Sequence, residues 1–274
     1  MYSGIIEYTG NKVISMTFYL CLNLNKKKME TLKGKEALVT GGNSGIGYAA
    51  AKELKAQGAE VIITGGREDV VSPAALELGV TGFVSDQSQV AAIEALVVKV
   101  SEKFGKLDIL FINAGVLGGA GIETATESDF DYVIDVNFKG AYFTLSRFIP
   151  LLKDGASVVF LSSNVVGMSG ANSSIYTSSK AALNAVMKIA AVELAPRKIR
   201  VNAVSPGPTQ TEILNKMGLD PSSRKALDDW MIERIPLKQI GSADDVAKLV
   251  AYFSGDAAGF ITGAEVVIDG GMSL

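Results

Sequence analysis

The sequence predicts an α/β fold in which a doubly wound, parallel seven-stranded sheet carries helices on both faces. Apolar runs of four to six residues recur along the chain without polar alternation, as in strands that are buried on both faces. Segments with the apolar spacing of a helix separate these runs. Because no repeat, low-complexity tract or linker interrupts the pattern after residue 30, we assign residues 31–274 to a single domain.

The predicted strands and helices alternate along the chain. We place the strands at residues 36–40, 60–64, 82–85, 107–112, 157–161, 199–204 and 265–268. We place the helices at residues 46–57, 72–78, 89–104, 127–152, 173–195 and 242–254, with further helical stretches within 211–235. Pro73 is expected in the first turn of its helix, where the missing N–H is tolerated. Ser242 is expected to cap the last helix.

The composition excludes several kinds of site. With 26 basic and 29 acidic residues, the chain lacks the basic surface that nucleic acid requires. The absence of histidine excludes Ser-His-Asp and Cys-His catalysis and histidine-ligated zinc, and we predict no metal site. The single cysteine, Cys21, allows no intrachain disulfide and indicates a reducing compartment. We therefore expect a cytoplasmic protein with no membrane partner.

Residues 1–30 differ from the rest of the chain. The apolar run Val13–Leu24 is too short to span a bilayer, and its lysines follow it, unlike those of a secretory signal. We interpret residues 1–30 as an extension outside the fold, with Met29 as an alternative start. A short pairing strand or a partner-binding arm is the other interpretation.

A glycine-rich turn joins the first strand to the first helix. Residues 40–47 read TGGNSGIG, and Gly41, Gly45 and Gly47 allow the backbone to turn tightly beside a pyrophosphate. The amino terminus of the following helix offers free N–H groups and the positive end of its dipole. The turn lacks the Gly-Lys-Ser/Thr ending of a P-loop. It therefore favours a dinucleotide over a nucleoside triphosphate.

The end of the second strand favours NADP(H) over NAD(H). An NAD site usually carries an acid here for the ribose hydroxyl, whereas this chain has Gly65, followed by Arg67. A guanidinium can bind a 2′-phosphate through two hydrogen bonds. The alternative is a surface arginine that pairs with Glu68 or Asp69.

Two further strand ends carry candidate cofactor contacts. Asp86 follows the third strand and can accept a hydrogen bond from an adenine amino group. Asn113, Ala114 and Gly115 follow the fourth strand, where small residues allow the backbone to pass close to the cofactor. Either segment could equally be an ordinary strand-to-helix turn.

Tyr176 and Lys180 lie four residues apart in a predicted helix, so their side chains share one face. A phenol has a pKa near ~10, and a nearby ammonium lowers it. We expect Lys180 and a cofactor cation together to bring the pKa of Tyr176 towards ~7. Ser163 follows the fifth strand, where its hydroxyl can face a substrate carbonyl. The spacing alone also fits a solvated tyrosine beside a surface lysine.

Together, these motifs closely resemble the short-chain dehydrogenase/reductase family in its single-domain, Rossmann-type form. The resemblance covers residues 33–274 and combines the following motifs in order: TGGNSGIG, the Asn-Ala-Gly turn at 113–115, Asn137 within DVNFKG, Ser163 thirteen residues before Tyr176, YTSSK, the Pro206-Gly207 turn with Thr209 and Thr211, and ITGAEVVIDGG. The resemblance implies an oxidoreductase that exchanges a hydride with NAD(P).

The resemblance also implies residue roles. Tyr176 would be the general acid in carbonyl reduction, Lys180 would lower its pKa and hold the nicotinamide ribose, and Ser163 would polarise the substrate oxygen. Asn137 would anchor a water that links Lys180 to solvent. Residues 210–235 would form a substrate lid.

The cofactor contacts follow from the same resemblance. They comprise Gly41, Asn43, Ser44, Gly45, Ile46, Gly47, Arg67, Asp86, Asn113, Ala114, Gly115, Tyr176, Lys180, Pro206, Gly207, Thr209 and Thr211. One departure concerns Asn43 and Ser44, since many NADP-using relatives place a basic residue before the second glycine. The cofactor preference therefore depends on Arg67.

We expect an NADP(H)-dependent reductase of a ketone or aldehyde that acts on a small molecule. The alternatives are an NAD-linked alcohol or sugar dehydrogenase and, more remotely, a non-catalytic protein that senses dinucleotides. Helices around residues 138–148 and 181–192 carry more apolar and small residues than one buried face needs. Family members pair these helices across two-fold axes, and their carboxyl-terminal segments meet at a second interface, so the resemblance implies a homotetramer.

Overall fold

The computed structural model of the protein describes residues 30–211 and 220–274. The strands in these ranges are β1 Glu36–Val39, β2 Glu60–Gly65, β3 Thr81–Val84, β4 Leu107–Ile112, β5 Leu152–Leu161, β6 Arg200–Pro206, β7 Thr209–Gln210, β8 Gly241–Ser242 and β9 Glu265–Ile268. Seven of them form one parallel sheet in the order β3-β2-β1-β4-β5-β6-β9. The predicted sheet is confirmed.

The helices described are α1 Gly45–Ala56, α2 Glu68–Leu78, α3 Val90–Phe104, α4 Glu127–Ile134, α5 Ala141–Phe148, α6 Ser174–Glu193, α7 Pro221–Arg234 and α8 Ala243–Ser254. A π-helical turn, Asp135–Gly140, joins α4 to α5. Within the two described ranges, no helix combines the length and apolar character needed to cross a membrane. The predicted extension lies outside the described residues up to Met29, so its role stays a prediction.

Two apolar clusters cover the two faces of the sheet. One contains side chains of α1, α2 and α8, and the other contains side chains of α3, α5 and α6. Neighbouring strand residues belong to different clusters: Leu38 packs in one and Val39 in the other. Because side chains alternate across a strand, a run without polar residues fills both layers, as the sequence pattern indicated.

Most elements differ from their predicted bounds by one or two residues, the predicted helix at 127–152 is divided by the π-helical turn, and α2 and β5 begin four and five residues early. Helix α2 begins at Glu68, so Pro73 lies inside it and not in its first turn. The acids Glu68 and Asp69 occupy the first turn, where they interact favourably with the helix dipole. Strand β5 begins at Leu152, earlier than predicted, and its pairing with β4 contains a register shift.

A charge cluster ties the amino ends of β1 and β4 to β5. Lys153 Nζ lies 2.8 Å from Asp108 Oδ2 and 2.5 Å from Glu36 Oε2, and the Glu36 N–H donates to Asp108 over 2.9 Å. Burial raises the pKa of Asp108, but the bonds from Lys153 and Glu36 outweigh it, so this pKa lies below 3.8. The bonds to Asp108 and Glu36 raise the pKa of Lys153 above 10.5.

Replacing Lys153 by methionine should lower the free energy of unfolding at neutral pH by about 0.5–1 kcal/mol, since these side chains are partly exposed. The loss should shrink below about pH 4, because the stability from a carboxylate with a depressed pKa disappears as pH falls through its folded-state pKa. Urea unfolding across this pH range measures both effects. Lys225→Met, which removes an exposed pair with Asp229, is the control and should change little. A loss that is independent of pH would contradict the prediction.

Candidate active site

The predicted site residues lie at one edge of the sheet, where the strands have their carboxyl ends. The segments after β1, β4, β5 and β6 begin at Thr40, Asn113, Ser162 and Gly207. The strand order reverses between β1 and β4, and a parallel sheet opens a crevice for a ligand at such a point.

Hydrogen bonds fix the glycine turn to the segment after β4. The Thr40 hydroxyl accepts from the Asn113 and Ala114 N–H groups at 3.0 and 3.1 Å. The Asn113 amide donates to the carbonyls of Thr40 and Gly41 at 2.9 and 3.0 Å. Asn113 therefore shapes the glycine turn through its side chain, a role that the sequence did not indicate.

The glycines of this turn meet specific backbone demands. Gly41 and Gly45 have φ angles of 63° and 54°, which disfavour other residues. A Cβ on Gly47 would lie 2.2 Å from the Gly41 carbonyl oxygen. Ser44 precedes α1 without a side-chain cap, and Ile46 lies in the first turn of that helix. The turn therefore stands at the amino terminus of α1, where free N–H groups and the positive end of the helix dipole suit a pyrophosphate.

The end of β2 is closed by Asn43. A Cβ on Gly65 would lie 2.3 Å from Asn43 Oδ1, so the position where an acid would serve NAD is already filled. The Arg67 side chain is 67% exposed, and its Nη1 lies 3.7 Å from Asp69 Oδ2. Arg67 therefore does pair with Asp69, but the contact is long and exposed to solvent, and the guanidinium remains accessible.

Asp86 is exposed and accepts from the N–H and hydroxyl of Ser88 at 2.9 and 2.8 Å through one carboxylate oxygen. The next residue, Gln87, was not identified from the sequence. It is buried, and its amide donates to the carbonyls of Ala114 and Val136, both at 3.1 Å. Gln87 therefore braces the turn after β4 against the π-helical turn.

The structure brings Ser163, Tyr176 and Lys180 together. The Ser163 hydroxyl is near enough to the Tyr176 phenol to lower the pKa of that phenol. Lys180 is 3% exposed, and its Nζ lies 5.9 Å from the centre of the Tyr176 ring and donates to the Leu161 carbonyl at 2.8 Å. The alternative of a solvated tyrosine beside a surface lysine is therefore wrong.

Burial governs the protonation of this cluster. It raises the pKa of Tyr176, and the Ser163 hydroxyl opposes it only in part. Burial also lowers the pKa of Lys180, to about 8. The expected fall in the tyrosine pKa is thus not produced by the protein's own groups. Burial disfavours both charged forms, and the Lys180 amine lies near the ring.

Asn137 is fully buried in the π-helical turn. Its Oδ1 accepts from the Val116 N–H at 2.8 Å, and its Nδ2 donates to the Val116 carbonyl at 2.9 Å and the Ser179 hydroxyl at 3.3 Å. A Cβ on Gly115 would lie 3.2 Å from Asn137 Oδ1 and 3.5 Å from Lys180 Nζ. The side chain of Asn137 therefore holds the segment that passes Lys180, and its water-anchoring role stays a prediction.

The segment after β6 crosses towards the glycine turn. The Gly207 N–H donates to the Ile268 carbonyl at 3.0 Å, and the Thr209 hydroxyl donates to the Gly207 carbonyl at 3.0 Å. Thr211 lies opposite Gly45, with its Cβ 3.4 Å from where a Cβ on that glycine would stand. Of the predicted lid, α7 is described and residues 212–219 lie outside the described residues.

Known proteins share this arrangement. Residues 41–273 match the sequence profile of the family described as enoyl-(acyl carrier protein) reductase. A tropinone reductase homolog from Datura stramonium is 38% identical and covers 89% of this chain and 94% of its own length. The 3-oxoacyl-(acyl-carrier-protein) reductase FabG of Staphylococcus epidermidis is 34% identical, and the alignment spans 88% of this chain and 99% of that protein. A short-chain dehydrogenase/reductase from Serratia marcescens has a similar structure, with a TM-score of 0.82 and 33% sequence identity. The superposition covers 89% of this chain and 100% of the Serratia chain.

The chain belongs to the short-chain dehydrogenase/reductase family. It is an NAD(P)-dependent oxidoreductase that acts on CH–OH and C=O groups. A dinucleotide bound at the glycine turn would have to approach its backbone closely. The tight packing of Gly47 on Gly41 and the uncapped start of α1 fit that requirement.

Replacing Gly47 by alanine in this short-chain dehydrogenase/reductase should lower stability by about 1–3 kcal/mol, because the new Cβ would overlap the Gly41 carbonyl. It should also weaken NADPH and NADH binding alike, since the displaced backbone serves both. Gly66→Ala is the matched control, because its Cβ would meet nothing within 4 Å. Thermal unfolding and fluorescence titration measure the two effects. Equal behaviour of the two variants would contradict the assigned role of the turn.

Proposed function

We propose that this short-chain dehydrogenase/reductase reduces a ketone or aldehyde to an alcohol with NADPH, with Tyr176 as the general acid. The observation that carries the proposal is the cluster of Ser163, Tyr176 and Lys180 at the carboxyl edge of the sheet, in which Ser163 and Lys180 are buried and Lys180 lies beside Gly115. Bound NADPH would supply the hydride to the carbonyl carbon.

The chain's own residues supply the proton and orient the substrate. Reduction of a carbonyl needs a proton donor, and burial raises the pKa of Tyr176, which keeps its phenol protonated at neutral pH. Ser163 lies beside the phenol, so a substrate oxygen bound next to both could accept hydrogen bonds from the two hydroxyls. The oxygen would thus be polarised by Ser163 and receive its proton from Tyr176.

Lys180 is the proposed source of the replacement proton. Its pKa of about 8 lies close to neutrality, so the amine can both hold and release a proton there. The Leu161 carbonyl orients it at 2.8 Å, and Asn137 lies on the same side of Gly115. A water held near Asn137 would connect Lys180 to solvent.

The end of β2 supports NADP(H) over NAD(H). Gly65 stands at the strand end where an acid would repel a 2′-phosphate, and Asn43 fills the space that such a side chain would need. Arg67 is exposed next to it and only weakly paired, so it can contact the phosphate. The NAD-linked dehydrogenase is the second candidate, since Asp69 partly neutralises Arg67.

Residues 31–274 form the proposed catalytic domain, and a cytoplasmic location is part of the proposal. The substrate class can be narrowed with a panel such as acetophenone, ethyl acetoacetate, benzaldehyde and cyclohexanol, assayed with both cofactors in the matching direction. Turnover in the panel also separates an enzyme from a non-catalytic dinucleotide sensor. The presence of Tyr176 and Lys180 favours the enzyme.

Replacing Tyr176 by phenylalanine should reduce kcat at least ~100-fold on the best substrate of the panel, since it removes only the proton donor. The dissociation constant for NADPH should change little, because the ring remains. Tyr252→Phe, on the exposed side of α8, is the control and should keep full activity. If Tyr176→Phe retained more than a few per cent of the activity, the proposed acid would be wrong.

NADPH should bind at least ~10-fold more tightly than NADH, since a charge-assisted contact to phosphate contributes about 1.5–3 kcal/mol. Arg67→Ala should remove most of this difference, and added salt should reduce it in the wild-type protein. Arg147→Ala, on α5, is the control. Equal dissociation constants for the two cofactors in the wild-type protein would favour the NAD-linked alternative.

Variants at Gly65 test whether Asn43 controls the choice between NADPH and NADH by filling the space beside this glycine. Gly65→Asp alone should disturb the turn, because its Cβ would overlap Asn43 Oδ1 at 2.3 Å. Gly65→Asp combined with Asn43→Gly should accept the new side chain and shift the preference towards NADH. A shift of equal size in the single variant would show that Asn43 does not guard this position.

We also propose a homotetramer. Tyr142 on α5 and Ile189 and Val192 on α6 are exposed apolar side chains, at 46%, 58% and 75%. Pairing of these faces between copies would bury them. Light scattering at micromolar concentration should give the mass of four chains, and a monomer would contradict the proposal.

A further inference from the structure

Asp269 is an acidic residue at the edge of the site that the reaction scheme above does not use. It directly follows β9, at the same carboxyl edge as the other site segments. Its Oδ1 accepts from the Gly271 N–H at 2.9 Å, and its Oδ2 accepts from the Ser273 N–H at 2.9 Å and the Asn164 amide at 3.2 Å. One carboxylate therefore joins the segment after β9 to the segment after β5.

Asn164 connects this carboxylate to Ser163. It is the residue after Ser163 and is 6% exposed. It begins the short 3-10 turn Asn164–Gly167, and Ser163 caps this turn by accepting from the Val165 N–H at 3.4 Å. A bond that fixes the side chain of Asn164 therefore also fixes the start of the turn from which the Ser163 hydroxyl projects.

The same contact reaches the segment after β6. A Cβ on Gly207 would lie 2.5 Å from the Asp269 Cβ and 3.2 Å from Asn164 Nδ2. Three strand ends are therefore packed together without space for a further methyl group. A shift of Asp269 would move both Gly207 and Asn164.

The turn after Asp269 also holds the chain that follows α7. The Leu237 N–H donates to the Gly270 carbonyl at 3.1 Å. A Cβ on Gly270 would lie 2.6 Å from Ile235 Cγ2, and one on Gly271 would lie 3.0 Å from Pro236 Cγ. The far end of the predicted lid thus rests on the turn that the Asp269 carboxylate closes.

We propose that Asp269 is a positioning residue: through Asn164 it sets the Ser163 hydroxyl, and through the Gly270 turn it anchors the carboxyl end of the lid helix α7. The inference rests on the proposed role of Ser163 in orienting the substrate. Burial raises the pKa of Asp269, but the bonds from Ser273, Gly271 and Asn164 outweigh it, so the group stays ionised and keeps both oxygens as acceptors.

The test is Asp269→Asn, which preserves shape but leaves one acceptor oxygen for the donors of Gly271, Ser273 and Asn164. Hydrogen exchange of the amides at residues 163–168 and 235–238 should become at least ~10-fold faster, while β1 and β4 keep their protection. On the best panel substrate, kcat should fall at least ~10-fold while the NADPH dissociation constant changes less than ~3-fold. Asp256→Asn, an exposed carboxylate paired with Lys35, is the control and should change neither.

A second variant separates positioning from a general loss of structure. Asp269→Asn combined with Asn164→Asp reverses the direction of the same bond, because the amide introduced after β9 can then donate to the carboxylate introduced after Ser163. Slower exchange at residues 163–168 and recovery of kcat relative to the single variant would support the inference. If Asp269→Asn does not fold, Asn164→Ala, which removes the amide donor to the carboxylate, tests the same contact, and unchanged exchange and kcat in that variant would overturn the inference.

Unchanged exchange and unchanged kcat in a folded Asp269→Asn protein would overturn the inference. If Tyr176→Phe abolished turnover in the same assays, the proposed function would stand without it. Conversely, if Tyr176→Phe were active, the proposed function would fail. Faster exchange at residues 163–168 in Asp269→Asn would then still support the positioning contact, and unchanged exchange would overturn it.

Discussion

A buried cation is the constraint on which this site depends. Lys180 is 3% exposed, and burial lowers its pKa to about 8, below 10.5. Because its folded-state pKa is depressed, the group lowers stability fully below about pH 8, and this penalty fades as pH rises towards 10.5. Lys180 stays buried despite this loss of stability, and its amine donates a hydrogen bond to the Leu161 carbonyl, which orients it. Residues that work against stability in this way are characteristic of functional sites.

The sequence was sufficient for most of the fold because its signals are local. Uninterrupted apolar runs predicted every strand of the main sheet, and Gly41, Gly45 and Gly47 predicted the turn at its centre. The order and spacing of Ser163, Tyr176 and Lys180 predicted a cluster that the fold assembles. Such patterns need only the neighbouring residues to be interpreted.

The remaining features depend on partners distant in the chain. Gln87 and Asp269 bond to segments 27 and 105 residues away, so the sequence does not show their partners, although Asp269 lies within the motif ITGAEVVIDGG. The π-helical turn at Asp135–Gly140 carries no signal that separates it from an α-helix. The pKa of Tyr176 was predicted from its charged neighbour, whereas burial, which a sequence cannot show, decides its direction in the protein.

The bonds between Thr40 and Asn113 have a consequence for how the chain folds. They join residues that are 73 positions apart. The glycine turn therefore takes its shape only after β1 has paired with β4, which brings together two distant parts of the chain. A partly folded chain would lack the proposed dinucleotide site, and a cofactor bound there would bind the native state alone. At a free concentration of about 100 times its dissociation constant, such a ligand adds roughly 2.7 kcal/mol to stability. The amount of folded enzyme in a cell would therefore follow its supply of cofactor.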